Sequence, residues 1–165
     1  MDYKEYLDNI EKKLKNYFDI ERNYELNGYV CDLHARYHLR NERYILSKKI
    51  VIYAIESNEY IFIKCIDKID DICLKEYIEF LVNSISDIVK PDENHMSSAI
   101  TGVLVTKHKP SADIIDTIKK FKYHKGFAFG FKGWVDIRLI LVNMEDNYIV
   151  TNKKGKEVKE VYSIQ

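Results

Sequence analysis

The most chemically loaded stretch of the sequence alternates. Asp32, His34, Arg36, His38 and Arg40 occupy every second position. On an extended strand alternate side chains project to one side, so the five would stand in a row about 6.5–7 Å apart. A carboxylate, two imidazoles and two guanidiniums so placed could bind a metal, bind a phosphate or move protons, or could line a solvated sheet face. Lys64 is a lone charge at the end of the apolar run Tyr60-Ile61-Phe62-Ile63. A lysine there must snorkel, pair with a carboxylate, or serve a site with a shifted pKa. Glu56 is a candidate partner. Asp136 and Arg138 are two apart after Trp134, share a face, and are expected to form a structural ion pair.

A second cluster runs from Tyr123 to Trp134. Lys125-Gly126-Phe127-Ala128-Phe129 matches the opening of the aromatic strand motif of RNA-recognition domains, but Gly130 and Lys132 break it. The aromatics, glycines and lysines here could stack bases. The expectation is instead core phenylalanines with lysines outside. His95 lies near Ser97 and Ser98 in what reads as a surface loop. No nucleotide-binding glycine loop and no nucleophile elbow occurs. Cys31, Cys65 and Cys73 lack the paired spacing of a metal site and read as buried reduced thiols.

These residues need elements to hold them. Tyr3, Leu7, Ile10, Leu14, Tyr17 and Phe18 recur at helical spacing, predicting a helix over 3–18. Period-two alternation predicts a strand over 29–40. The apolar runs in 43–55 and 59–67 predict two more, completing an antiparallel three-stranded meander. Asp70 or Asp71 caps a helix that Lys90-Pro91 stops. Residues 99–106 form a strand, and Pro110-Ser111 open a helix through Phe121. Strands are expected at 126–132, 134–144 and 148–152, followed by a turn and a short basic tail.

The chain has 165 residues, 46% of them hydrophobic and 32% charged, which suits one globular domain spanning 1–165. Lys and Arg total 26 and so do Asp and Glu, so no global charge draws in nucleic acid or anionic membrane. Locally the balance differs. Residues 119–138 carry six lysines and arginines against Asp136 alone, whereas 56–93 carry ten acids against four bases. No apolar run approaches the ~18 residues of a membrane span. The start is acidic and amphipathic, unlike a signal peptide, so a cytoplasmic location is expected. The fold class is therefore α/β (α+β), a mixed sheet flanked by helices.

The order helix, three strands, helix, strand over residues 3–107 resembles the core of the restriction-endonuclease-like (PD-(D/E)XK) superfamily, including its Mrr-type branch. The resemblance implies an Asp on one strand and a Glu-x-Lys on the next, holding a divalent metal for phosphodiester hydrolysis. Lys64 matches the motif lysine, and Phe62 stands where the metal-binding acid belongs. The resemblance thus implies a degenerate site of Asp32, Glu56 and Lys64, with Mg2+ or Mn2+ on Asp32 and Glu56. His34, Arg36, His38, Arg40 and Arg138 would then contact phosphate. The expected function is a nuclease-like domain engaging nucleic acid or another polyanion without efficient catalysis. Two alternatives stand beside it: an assembly domain, whose 13 tyrosines would supply a homodimer surface, and a small-molecule enzyme for an anionic substrate.

Overall fold

The computed structural model describes residues 1–37, 57–90 and 97–164. Among them lie three helices, α1 (Tyr3–Leu14), α2 (Asp71–Ile88) and α3 (Ala112–Lys120). Seven strands form one mixed sheet: β1 (Phe18–Leu26), β2 (Tyr29–Tyr37), β3 (Ser57–Ile66), β4 (Ser97–Thr106), β5 (His124–Gly126), β6 (Trp134–Asn143) and β7 (Tyr148–Thr151). Their order is β1-β2-β3-β4-β6-β5. β1, β2 and β3 pair antiparallel, whereas β3, β4 and β6 are parallel. β5 and β7 share the outer edge of β6, one near each end. The fold is α+β.

The meander has different members from those expected. The predicted strand 43–55 lies outside the described residues, and β1 supplies the third antiparallel strand. The predicted helix 3–18 ends at Leu14, because Phe18, Ile20, Arg22, Tyr24 and Leu26 alternate as a half-buried strand does. Asn27 and Gly28 then close the β1–β2 hairpin with φ of 53° and 77°. Two positive φ angles in a row are what a type I′ turn needs, and Asn-Gly supplies them cheaply.

The sheet is covered on both faces. Tyr6, Ile10 and Leu14 of α1 pack with Leu33, Ile61, Val103 and Ile140. On the other face, Tyr77 and Leu81 of α2 and Ile118 of α3 pack with Phe62, Ile100 and Leu139. Each such fully buried side chain stabilises the fold by about 1.5–3 kcal/mol. Side-chain caps start all three helices: Asp2 accepts from the Glu5 N–H, Asp70 from Cys73 and Ser111 from Ile114. Gly102 lets α2 approach β4, since a Cβ there would collide with Leu81.

One irregularity matters for the chemistry. Phe18, Ile20, Leu33 and Ala35 join the α1 side, but Tyr24, Leu26, Tyr29 and Cys31 join the α2 side. The hairpin changes face at Asp32 and at Asn23, which lies between the paired residues Arg22 and Tyr24 and has φ 51°. The uniform one-sided alternation expected over 29–40 therefore does not hold past Asp32.

Candidate functional site

The β2–β3 ladder runs from Arg36–Tyr60 to Leu33–Ile63 and then stops. Side chains continue the join. Asp32 Oδ2 accepts the Cys65 N–H at 2.8 Å, and Lys64 Nζ donates to the Val30 carbonyl at 2.8 Å. The two side chains lie 3.7 Å apart, each about one-third exposed. Asp32 and Lys64, two members of the expected set, are thus brought together, and Asp32 Oδ2 and Lys64 Nζ each hold a backbone group. Glu56 lies outside the described residues, as do His38 and Arg40. Phe62 is fully buried. Among the described residues no three His, Cys, Asp or Glu side chains gather to hold a metal. Asp32 is bound to an amide and an ammonium, and the buried Phe62 ring stands where the resemblance expects the second acid.

His34 is a core residue. Its ring stacks between Tyr24 at 4.3 Å and Phe62 at 4.4 Å, and its Nδ1–H donates to the Ile61 carbonyl at 2.9 Å. Burial pushes its pKa below the usual histidine value, which keeps it neutral. A buried neutral imidazole does not contact phosphate. Arg36 is exposed, opposite Asp19 on β1. Arg138 belongs to the other face and is buried, bound to Glu59 at 3.0 Å and Glu157 at 3.3 Å. These two partners stand in place of Asp136, which corrects the expected Asp136–Arg138 bridge. Arg138 registers through Thr101 with Ile61, three residues from Lys64 along the strand. An odd separation puts the two on opposite faces. The expected Asp32-to-Arg138 set therefore does not form one site.

The cysteines are free. Burial pushes the Cys31 and Cys65 thiols up to about 12, so they are inert.

A different set of groups converges at the β5–β6 edge. The expected strand 126–132 is absent: β5 stops at Gly126 and the chain turns back on itself. Phe127 N–H bonds to Gly133 O, and Lys132 N–H to Phe127 O. Ala128, Phe129, Gly130 and Gly133 all have positive φ. Closing so tight a loop in the left-handed region throws the rings outward. Phe129 is fully exposed, Phe131 is 70% exposed and Trp134 is 41% exposed. The expectation of core phenylalanines holds in part for Phe127, which packs against the α2-side core, and fails for Phe129 and Phe131. Three glycines within eight residues were the signal for a loop.

Lys122, Lys125 and Lys132 flank these rings, with Lys125 Nζ 5.6 Å from the Phe127 centroid. The lone acid of the segment, Asp136, is already paired. Its Oδ1 meets His124 Nδ1 at 2.8 Å and its Oδ2 meets Lys154 Nζ at 3.7 Å. The loop therefore presents exposed lysines beside bare aromatic rings.

No helix among the described residues is long and apolar enough to cross a membrane. A search of curated proteins finds no match to the chain. Residues 2–164 match the family described as Domain of unknown function (DUF8052), and the chain belongs to that family.

Proposed function

We propose that this is a nuclease-like domain that engages single-stranded nucleic acid and does not cleave it efficiently through Asp32 and Lys64. The observation that carries the reading is the loop of Phe129, Phe131 and Trp134 set among Lys122, Lys125 and Lys132. Exposed rings stack on bases of any sequence, and lysines track the phosphates between them. A duplex hides its base faces, so single strands are the better ligand. The nuclease-like half of the reading is supported by a helix, an antiparallel three-strand unit, a helix and a parallel strand, with Asp32 on the strand next to Lys64. Phe62 at the acid position and the bond of Asp32 to the Cys65 N–H favour binding over metal-dependent cleavage.

Trp134 is the sole tryptophan, so its fluorescence reports on the loop directly. Titration with a uridine oligonucleotide should quench it. Three phosphate contacts predict a log–log salt slope of about −2. Phe129→Ala should weaken binding about tenfold, the usual loss for one stacked base. Quenching by phosphatidylserine vesicles but not by the oligonucleotide would overturn the reading in favour of a membrane surface. A concentration-dependent mass that Phe129→Ser abolishes, with no oligonucleotide binding, would overturn it in favour of self-assembly.

A further inference from the structure

Asp136 holds the His124 imidazole on one oxygen and the Lys154 ammonium on the other, Lys154 also reaches Glu157 Oε1 at 3.5 Å, and both basic groups face solvent. His124 is 52% exposed, Lys154 is 48% exposed, and the carboxylate between them is 15% exposed. A carboxylate only accepts, so His124 Nδ1 carries the proton and Nε2 is left as the basic nitrogen. His124 stands opposite Asp136 in the β5–β6 ladder, and Gly126 stands opposite Trp134. Trp134 and Asp136 are alternate residues on one strand face, about 6.5–7 Å apart. That is roughly one step of an extended polynucleotide, so a base stacked on Trp134 brings an adjoining ribose and phosphate to His124 and Lys154.

We propose that His124, Lys154 and Asp136 form a metal-independent RNA-cleaving site, fed by the aromatic loop. The proposal rests on the reading of that loop as a single-strand binder. His124 Nε2 takes the proton of a ribose 2′-hydroxyl as the 2′-oxygen attacks the adjacent phosphorus. The bond from phosphorus to the 5′-oxygen breaks, its electron pair stays on that oxygen, and the Lys154 ammonium supplies the proton. The products are a 2′,3′-cyclic phosphate and a 5′-hydroxyl. No water, metal ion or redox partner is consumed, and exchange with solvent restores both protons. Asp136 is a positioning residue: it fixes the imidazole tautomer and stabilises the imidazolium that forms. DNA, lacking the 2′-hydroxyl, binds and is not cut.

The test incubates the full chain in EDTA with 5′-labelled single-stranded RNA and with its 2′-O-methyl counterpart. The expected result is cleavage of the first, leaving cyclic-phosphate ends identifiable by mass spectrometry, and binding of the second without cleavage. His124→Ala should slow cleavage at least about 100-fold. Asp136→Asn should slow it as well, and Lys154→Arg should retain more activity than Lys154→Ala. Folding of each variant is verified by its unfolding midpoint, and the exposed His124 leaves one variant that folds whatever Asp136→Asn does. RNA that is bound and stays intact overturns this proposal and leaves the binding reading standing. Failure of both oligonucleotides to bind overturns both. Cleavage abolished by EDTA, or undiminished in His124→Ala, assigns the activity elsewhere and overturns the proposal.

Discussion

Asp32 with Lys64, and Asp136 with His124 and Lys154, are built from the same materials: a strand carboxylate beside basic side chains. They differ in what the polar atoms already touch. Asp32 accepts a backbone N–H and Lys64 donates to a backbone carbonyl, so both continue a ladder that stopped at Leu33. Among the described residues the Asp136 carboxylate meets the side chains of His124 and Lys154, and both are half in solvent. Backbone groups must be satisfied wherever they are buried, and a side chain that satisfies them is committed. A chemically capable residue is therefore judged by its remaining free atoms, not by its type. The first region is a stitch in the sheet and the second is a surface that can meet a ligand.

The largest effect that would sharpen this contrast is on stability. Asp32→Ala removes the acceptor of the Cys65 N–H and the counter-ion of Lys64. Hydrogen bonds to charged groups contribute about 1.5–3 kcal/mol. The ion pair itself adds little, because both side chains are about one-third exposed. A loss of about 2 kcal/mol is expected from the midpoint of urea unfolding, of the order that one charged hydrogen bond carries. A loss below about 0.5 kcal/mol, ordinary for a surface substitution, would remove the stitch and with it the contrast.

The two histidines allow a second comparison, through pH. His34 is buried between two rings, and its folded-state pKa lies below its unfolded value of about 6.5. The unfolded chain therefore binds more protons at this position as the pH drops below that value. The stabilisation is complete above about pH 6.5 and is lost as pH falls toward the folded pKa, by up to about 1.4 kcal/mol per pH unit. His34→Phe keeps the stack and should flatten the stability profile between about pH 6.5 and 5.5 by one proton's worth. Unfolding midpoints across that range measure it. An unchanged slope would show that the imidazole titrates as freely folded as unfolded.

The regular parts of this architecture were legible in the sequence because one period repeats over many residues. Helical spacing from Leu74 to Ile88 and the continuous apolar runs of β4 and β6 each have a single packing solution. Residues 18–28 were not read as a strand and turn, because Tyr17 and Phe18 extend the helical pattern and mask its end; the alternation of β1 and Asn27-Gly28 were the signals available. The face change at Asp32 was not legible, since strict alternation is what a period-two reading assumes. The same assumption aligned His34 with the charged row and hid its place in the core. At the candidate site, the residue types between Tyr123 and Trp134 were visible, and so was Asp136. The partners of Asp136 were not. His124 and Lys154 lie 12 residues before it and 18 after it, and only the β5–β6 pairing and the turn after β7 bring them to one carboxylate.

The smallest expected effect is the one most able to break the comparison. His124→Ala removes an imidazole that is half exposed and contacts one carboxylate, which keeps Lys154 as a partner. Exposed ion pairs contribute about 0–1 kcal/mol, and no backbone group loses its bond in this change. A shift of less than about 0.5 kcal/mol in unfolding free energy is expected, with the urea m-value unchanged. If His124→Ala instead costs as much as Asp32→Ala, the edge of β6 is held by this pair as the β2–β3 join is held by the other. Both clusters would then be structural, and the outward-facing nitrogen would have no claim to chemistry. If the cost is small while RNA cleavage falls, the imidazole is there for its ligand, because the fold does not need it.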